Sequence, residues 1–106
     1  MFVRKLSVHL KPDTLGQFTS ILENQIVPVL RKQHGFKDEI ALAIPGSRDV
    51  LSISFWDNQK NADTYESNTY KDVLKMVSSV IDGTPKLETT EVLHSTLTDL
   101  RKPVAA

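Results

Sequence analysis

Along the chain the apolar residues change period twice, in the same order each time. Phe2, Leu6, Val8 and Leu10 stand two or four apart, with Lys5, Ser7, His9 and Lys11 out of phase, which predicts a strand over Phe2 to Lys11 with two unlike faces. Pro12 and Asp13 end it. Leu15, Phe18, Leu22, Ile26 and Val29 then follow at spacings of three and four, the mark of an amphipathic helix reaching about Gln33 with Asp13 as its N-cap. Pro28 lacks the amide hydrogen that would bond back to the Asn24 carbonyl, so a kink is expected there, and Gly35 supplies a left-handed stop. Phe36 to Ile44 and Val50 to Trp56 form a hairpin across Pro45 and Gly46. Asp57 or Asn58 caps a helix through Tyr65, and Ser67, Asn68 and Thr69 interrupt it. Thr69 with Asp72 resembles a capping box for a second segment whose stripe is Tyr70, Val73 or Leu74, Val77 and Ile81. Gly83 and Pro85 stop that segment, and Leu87 to about Leu100 reads as a long last strand.

The order strand, helix, strand, strand, helix, strand is a split pair of βαβ units, and right-handed crossovers place both helices on one sheet face. The predicted class is α+β, a ferredoxin-like βαββαβ sandwich with an antiparallel sheet. A length of 106 residues suits a single domain, expected over 1–100, with a short tail at 101–106. Thirteen Lys plus Arg balance thirteen Asp plus Glu, which leaves no excess positive charge for binding DNA or RNA. MFVRKLSVHLK has no continuous apolar run, so neither a signal peptide nor a membrane span is expected and a cytoplasmic location is. Zero cysteines remove disulfides, thiolate metal ligands and a thiol nucleophile together.

Two helices cover one sheet face only; the other must meet water or another subunit. With Leu6, Val8 and Leu10 toward the helices, Val3, Lys5, Ser7 and His9 point away. Taking Leu51, Ile53 and Phe55 as inward puts Val50, Ser52, Ser54 and Trp56 on that same outer face, joined by Ala41 and Ala43. Small side chains beside a Trp suit a face that a second subunit covers while leaving a cavity. A homodimer with a pocket between its two sheets is the expectation.

The kinked helix ending VPVLRKQHGF, the hairpin, the stretch SISFWDNQKNADTYESNTYKDVL and a Gly with a Pro before the last strand together resemble antibiotic biosynthesis monooxygenase (ABM) domains of the dimeric α+β barrel superfamily. The resemblance spans nearly the whole chain. It implies two protomers packed sheet against sheet, and chemistry drawn from oxygenases that use no metal or flavin, haem-degrading monooxygenases, isomerases and proteins of unassigned role. Haem-degrading members carry an Asn on the first strand, a Trp nine residues past the strand-end Trp and a haem-ligating His nine further on. Counted from Trp56 those last two positions hold Tyr65 and Leu74, and the first strand offers Lys5, Ser7 and His9. Leu74 cannot ligate iron.

Among titratable residues His9 is the candidate catalytic base, since an imidazole moves protons near neutral pH; the plainer role is a hydrogen-bonded histidine at a subunit contact. Ser7, Ser52 and Ser54 are candidate pocket residues, although serine on a strand is often a small polar filler. Trp56 and Tyr65 complete the candidate pocket, against the alternative that both simply pack. His34 suits a helix C-terminus, and His94 lies on the last strand with unassigned facing. No short-spaced ligand pair exists, so no metal is predicted, and Gly16, Gly35, Gly46 and Gly83 stand too far apart to cradle a nucleotide phosphate. The expected function is a cofactor-independent monooxygenase acting on a small, partly aromatic molecule; the alternative is a non-catalytic dimer that binds a small ligand or serves structure alone.

Overall fold

The computed structural model describes residues 1–97; the tail at 101–106, the expected domain end near 100 and the far end of the predicted last strand lie outside the described residues. The elements run β1 (Phe2–Leu10), α1 (Leu15–Ile21), a π-helical turn (Leu22–Ile26), α2 (Val27–Arg31), β2 (Phe36–Ala43), β3 (Asp49–Trp56), α3 (Gln59–Asn68), α4 (Tyr70–Val77) and β4 (Ile81–Glu91). The four strands form one antiparallel sheet in the order β2-β3-β1-β4. This is the ferredoxin-like α+β architecture that the alternating periods predict.

The core fills the space between one sheet face and the helices. Phe2, Val8 and Leu10 from β1 meet Phe18, Leu22, Ile26 and Leu30 from the first helical stretch and Val73 and Val77 from α4. Around Pro28 the chain differs from expectation. The irregularity lies one turn earlier, where the Val27 amide donates to the Leu22 carbonyl five residues back. Pro28 follows directly in the first turn of α2, so its missing N–H falls where the wide turn has already interrupted the regular i→i−4 ladder. Nor does Asp13 cap α1. It adopts a left-handed φ of 59°, which a short polar residue tolerates. Thr14 holds the cap position, and its hydroxyl donates to the carbonyls of Lys11 (2.7 Å) and Val80 (3.2 Å), tying the end of β1 to the start of β4.

Asn58 does cap α3, its side chain accepting from the Asn61 amide at 2.9 Å. The helix break narrows to Thr69, and no capping box forms there: the Thr69 hydroxyl donates to Gln33 Oε1 (3.3 Å) instead. The last strand begins at Ile81 rather than Leu87, so Gly83 and Pro85 lie inside it. They are accommodated by a bulge. The register jumps from Ser7 opposite Lys86 to His9 opposite Asp82, Gly83 has φ 72°, and Pro85 lacks an amide that would go unpaired.

Gly35 joins α2 to β2 at φ 83°, with its carbonyl accepting from the Asp57 amide at 2.9 Å. A Cβ there would strike the Asp57 carboxylate and come within 2.7 Å of Asn61 Cβ. Gly35→Ala is therefore expected to cost at least about 2 kcal/mol, and with it ~8 °C or more in melting temperature, by calorimetry. Gly46→Ala, with a similar φ of 76° but open space around it, should cost clearly less.

Candidate functional site

The phase of β3 is the reverse of the sequence expectation. Val3 pairs with Phe55, Lys5 with Ile53 and Ser7 with Leu51, so Leu51, Ile53 and Phe55 share the outer face with Val3, Lys5 and Ser7. Val50, Ser52, Ser54 and Trp56 face the helices, and so do Ala41 and Ala43, which pair with Ser52 and Val50. The reason is that both faces of β3 are apolar enough to bury, so alternation alone does not say which set goes inward. Ser7 and His9 are thereby separated by the thickness of the sheet from Ser52, Ser54, Trp56 and Tyr65. Ser52, Ser54 and Tyr65 border a cavity inside one protomer, on the helix side of the sheet.

That cavity, about 50 Å³, is lined by Arg4, Ser52, Ser54, Tyr65 and Tyr70 among apolar neighbours that include Leu74. Arg4 is the residue that sequence reasoning passed over. It occupies the inward phase of β1 between Phe2 and Leu6 and is only 3% exposed. Its Nη1 donates to Glu66 Oε1 at 2.8 Å, and its guanidinium lies 5.3 Å from the Tyr65 ring centre and 5.0 Å from that of Tyr70. A lone charge in the apolar phase of a central strand is the signal that was available.

Trp56, fully buried, packs edge-on to Phe36 (5.6 Å) and against Tyr65 (5.0 Å), and its Nε1 donates to Ser54 Oγ at 2.9 Å. Ser54 keeps its own hydroxyl hydrogen available for donation. Tyr65 continues the aromatic chain to Tyr70 at 6.2 Å. Burial pushes the Tyr65 phenol up to about 12, with Arg4 opposing the rise, and burial raises Tyr70 in the same way.

Beside the cavity a groove of about 380 Å³ runs between the first helical stretch and β2, lined by Phe18, Leu22, Val27, Glu39, Ala41 and Ala43 among others. Phe18 and Leu22 line both spaces, so the two adjoin. The sheet register gives the region its polarity. Glu39 pairs with Ser54, and Ser54 pairs with Arg4, which makes one polar row across β2, β3 and β1 on the helix side. Neighbouring strands lie ~4.8 Å apart, so the acid and the guanidinium originate about 10 Å from each other. Burial raises the Glu39 carboxyl above its ordinary value, and the adjacent Asp38 charge pushes the same way.

His9 is exposed at the end of β1, its Nδ1 2.7 Å from Asp49 Oδ1 and its Nε2 3.4 Å from Arg48. His94 borders a depression on the outer face with Val3, Lys5, Ile53 and Phe55, and His34 is exposed after α2. Among the described residues no three His, Asp or Glu side chains converge as a metal site would require. No helix there is long and apolar enough to cross a membrane.

The Tyr65 phenol ionises near 12 in the folded chain, against ~10 when unfolded, so between those values only the unfolded form sheds its proton. Its contribution is complete below pH 10 and is lost as the pH climbs to 12. Denaturant titrations from pH 8 to 12 should show the wild type losing on the order of 2 kcal/mol more than Tyr65→Phe over that interval.

No family model matches the chain, and no curated protein matches it. Solved structures do. The monooxygenase from the gene ActVA-Orf6 of Streptomyces coelicolor, in complex with the ligand Nanaomycin D, superposes with a TM-score of 0.76 at 16% identity, covering 91% of this chain and 90% of that one. A candidate antibiotic biosynthesis monooxygenase from Bordetella bronchiseptica gives 0.75 at 14% identity over 88% and 97% of the two chains. The protein NE2512 of unknown function from Nitrosomonas europaea gives 0.74 at 14% identity over 91% and 92%. The chain has the fold of the antibiotic biosynthesis monooxygenase domain.

Proposed function

We propose that the chain is a homodimeric, cofactor-independent monooxygenase whose substrate, an electron-rich hydroxylated aromatic, lies between sheet and helices. The observation that carries this reading is the row Glu39, Ser54, Arg4 across the sheet side of a site whose remaining lining is apolar apart from Thr19, Glu23 and Ser52. At about 50 Å³ the inner cavity is a third of the ~150 Å³ that admits benzene, whereas the groove of about 380 Å³ is ample. The ring therefore occupies the groove and its substituents reach toward Ser54 and Arg4. That a likeness of the same fold is a monooxygenase crystallised with Nanaomycin D favours the same use of the fold.

Glu39 replaces His9 as the base. It stands on the helix side with the substrate, and its raised proton affinity suits abstraction from a phenol. The ionised ring then reduces O2 directly. One oxygen atom bonds to a ring carbon, the O–O bond breaks, and the second leaves as water with the hydrogens from that carbon and the hydroxyl, so hydroxyarene plus O2 gives quinone plus water. No outside reductant enters.

The outer face supports the dimer more strongly than the residues first assigned to it. Leu51, Ile53 and Phe55 lie there with Ile40 and Leu42, whose exposures of 42% and 43% are high for such side chains. The paired variant Ile40→Lys with Leu42→Lys should sediment as a monomer where the wild type sediments as a dimer; a monomeric wild type would remove the assembly from the proposal.

Oxygen-electrode assays over a panel of polyphenols test the chemistry. Glu39→Gln should lower uptake by roughly a hundredfold or more, the usual worth of a positioned base, with His9→Ala near the wild-type rate. Wild-type binding without oxygen uptake would establish the non-catalytic alternative instead.

A further inference from the structure

We propose that Arg4 is the point at which the ligand is selected, and that it takes an oxyanion, a carboxylate or an ionised hydroxyl, at the end of an aromatic ring opposite the hydroxyl that meets Glu39. This rests on the site described under Proposed function and adds the substrate class.

A guanidinium offers five N–H donors. In Arg4, Nη1 is met by Glu66, and Tyr65 and Tyr70 lie against the guanidinium. Nη2 is buried with no acceptor among the described residues. A packing role accounts for the tyrosine contacts and for Nη1, yet leaves Nη2 unmatched. Buried donors are almost always paired, and charged ones most of all. The arrangement is also lopsided: the Arg4 side chain is 4% exposed while that of Glu66 is 42% exposed, so the cation sits inside and its carboxylate at the rim. Solvent weakens the rim charge, which leaves the interior end of the pair net attractive to a second anion.

The surroundings fix the rest of the ligand. Ser54, next to Arg4 in the register, has a hydroxyl hydrogen to give the same oxyanion. Phe18, Leu22 and Val27 in the groove suit a flat ring, and its acidic oxygen enters the inner cavity beside Arg4, Tyr65 and Tyr70. With Glu39 and Arg4 starting about 10 Å apart, their side chains converge on a molecule with oxygens at both ends of a single or fused ring. The substrate class is a hydroxyarene bearing a second, acidic oxygen group across the ring.

Calorimetric titration of the full chain with 4-hydroxybenzoate and with its methyl ester, which is neutral at one end, tests the assignment. The wild type should bind the carboxylate at least tenfold more tightly. Arg4→Gln should erase that preference while still binding the ester. Glu66→Gln, which keeps the arginine and removes its rim charge, should tighten the carboxylate severalfold and leave the ester unchanged; it decides the matter if Arg4→Gln fails to fold by circular dichroism. Titrating 4-nitrophenol through its visible ionisation separates the two oxyanions, since a phenolate site lowers its apparent ionisation pH on binding and a carboxylate-only site does not. Equal binding of acid and ester by the wild type, or an unaltered preference in either variant, overturns the role of Arg4 while leaving the pocket in place. Binding of neither probe overturns the pocket as well.

Discussion

The central position of β1 governs everything else in the molecule. It hydrogen-bonds to β3 on one edge and β4 on the other, so its phase decides which side chains its neighbours turn toward the helices. Placing Phe2, Leu6, Val8 and Leu10 inward forces Arg4 inward too, because a strand cannot turn one residue out of phase without a bulge. A charge is thus driven into the apolar layer. The helices answer with two tyrosine faces and the Glu66 carboxylate.

Burying such a group is not a natural route to stability, since an apolar residue of similar size would serve as well or better. Its retention in a central strand makes sense where the charge has work at a site. The same logic applies to the hydroxyls of β3. Ser52 and Ser54 are poor core residues; at the helix-facing surface they leave space that Val or Ile would fill, and that space is the cavity.

How far the sequence could be read depended on how many faces a given element buries. β1 has one clearly polar side, apart from Arg4, so its alternation fixed its orientation. The helical periods were equally plain, as was the Asn58 cap. β3 has Leu51, Ile53 and Phe55 on one side and Val50 and Trp56 on the other, and no local rule ranks two apolar faces. The candidate site inherited that error: Ser52, Ser54 and Tyr65 do line one cavity, whereas Ser7 and His9 lie across the sheet. Gly83 and Pro85 misled for another reason. Both are breakers in a regular strand, but a bulge on an edge strand accepts them.

That bulge has a companion on the opposite edge, where the pairing of β2 with β3 slips between Phe36 and Asp38. Each outermost strand is therefore bent out of the regular ladder over part of its length, with Lys37, Asp38 and Glu39 adding charge on one side. Such edges are poor templates for continuing a sheet from one molecule to the next. Growth by adding strands, the route to fibres, is disfavoured at both ends, even though the outer surface of the sheet is apolar.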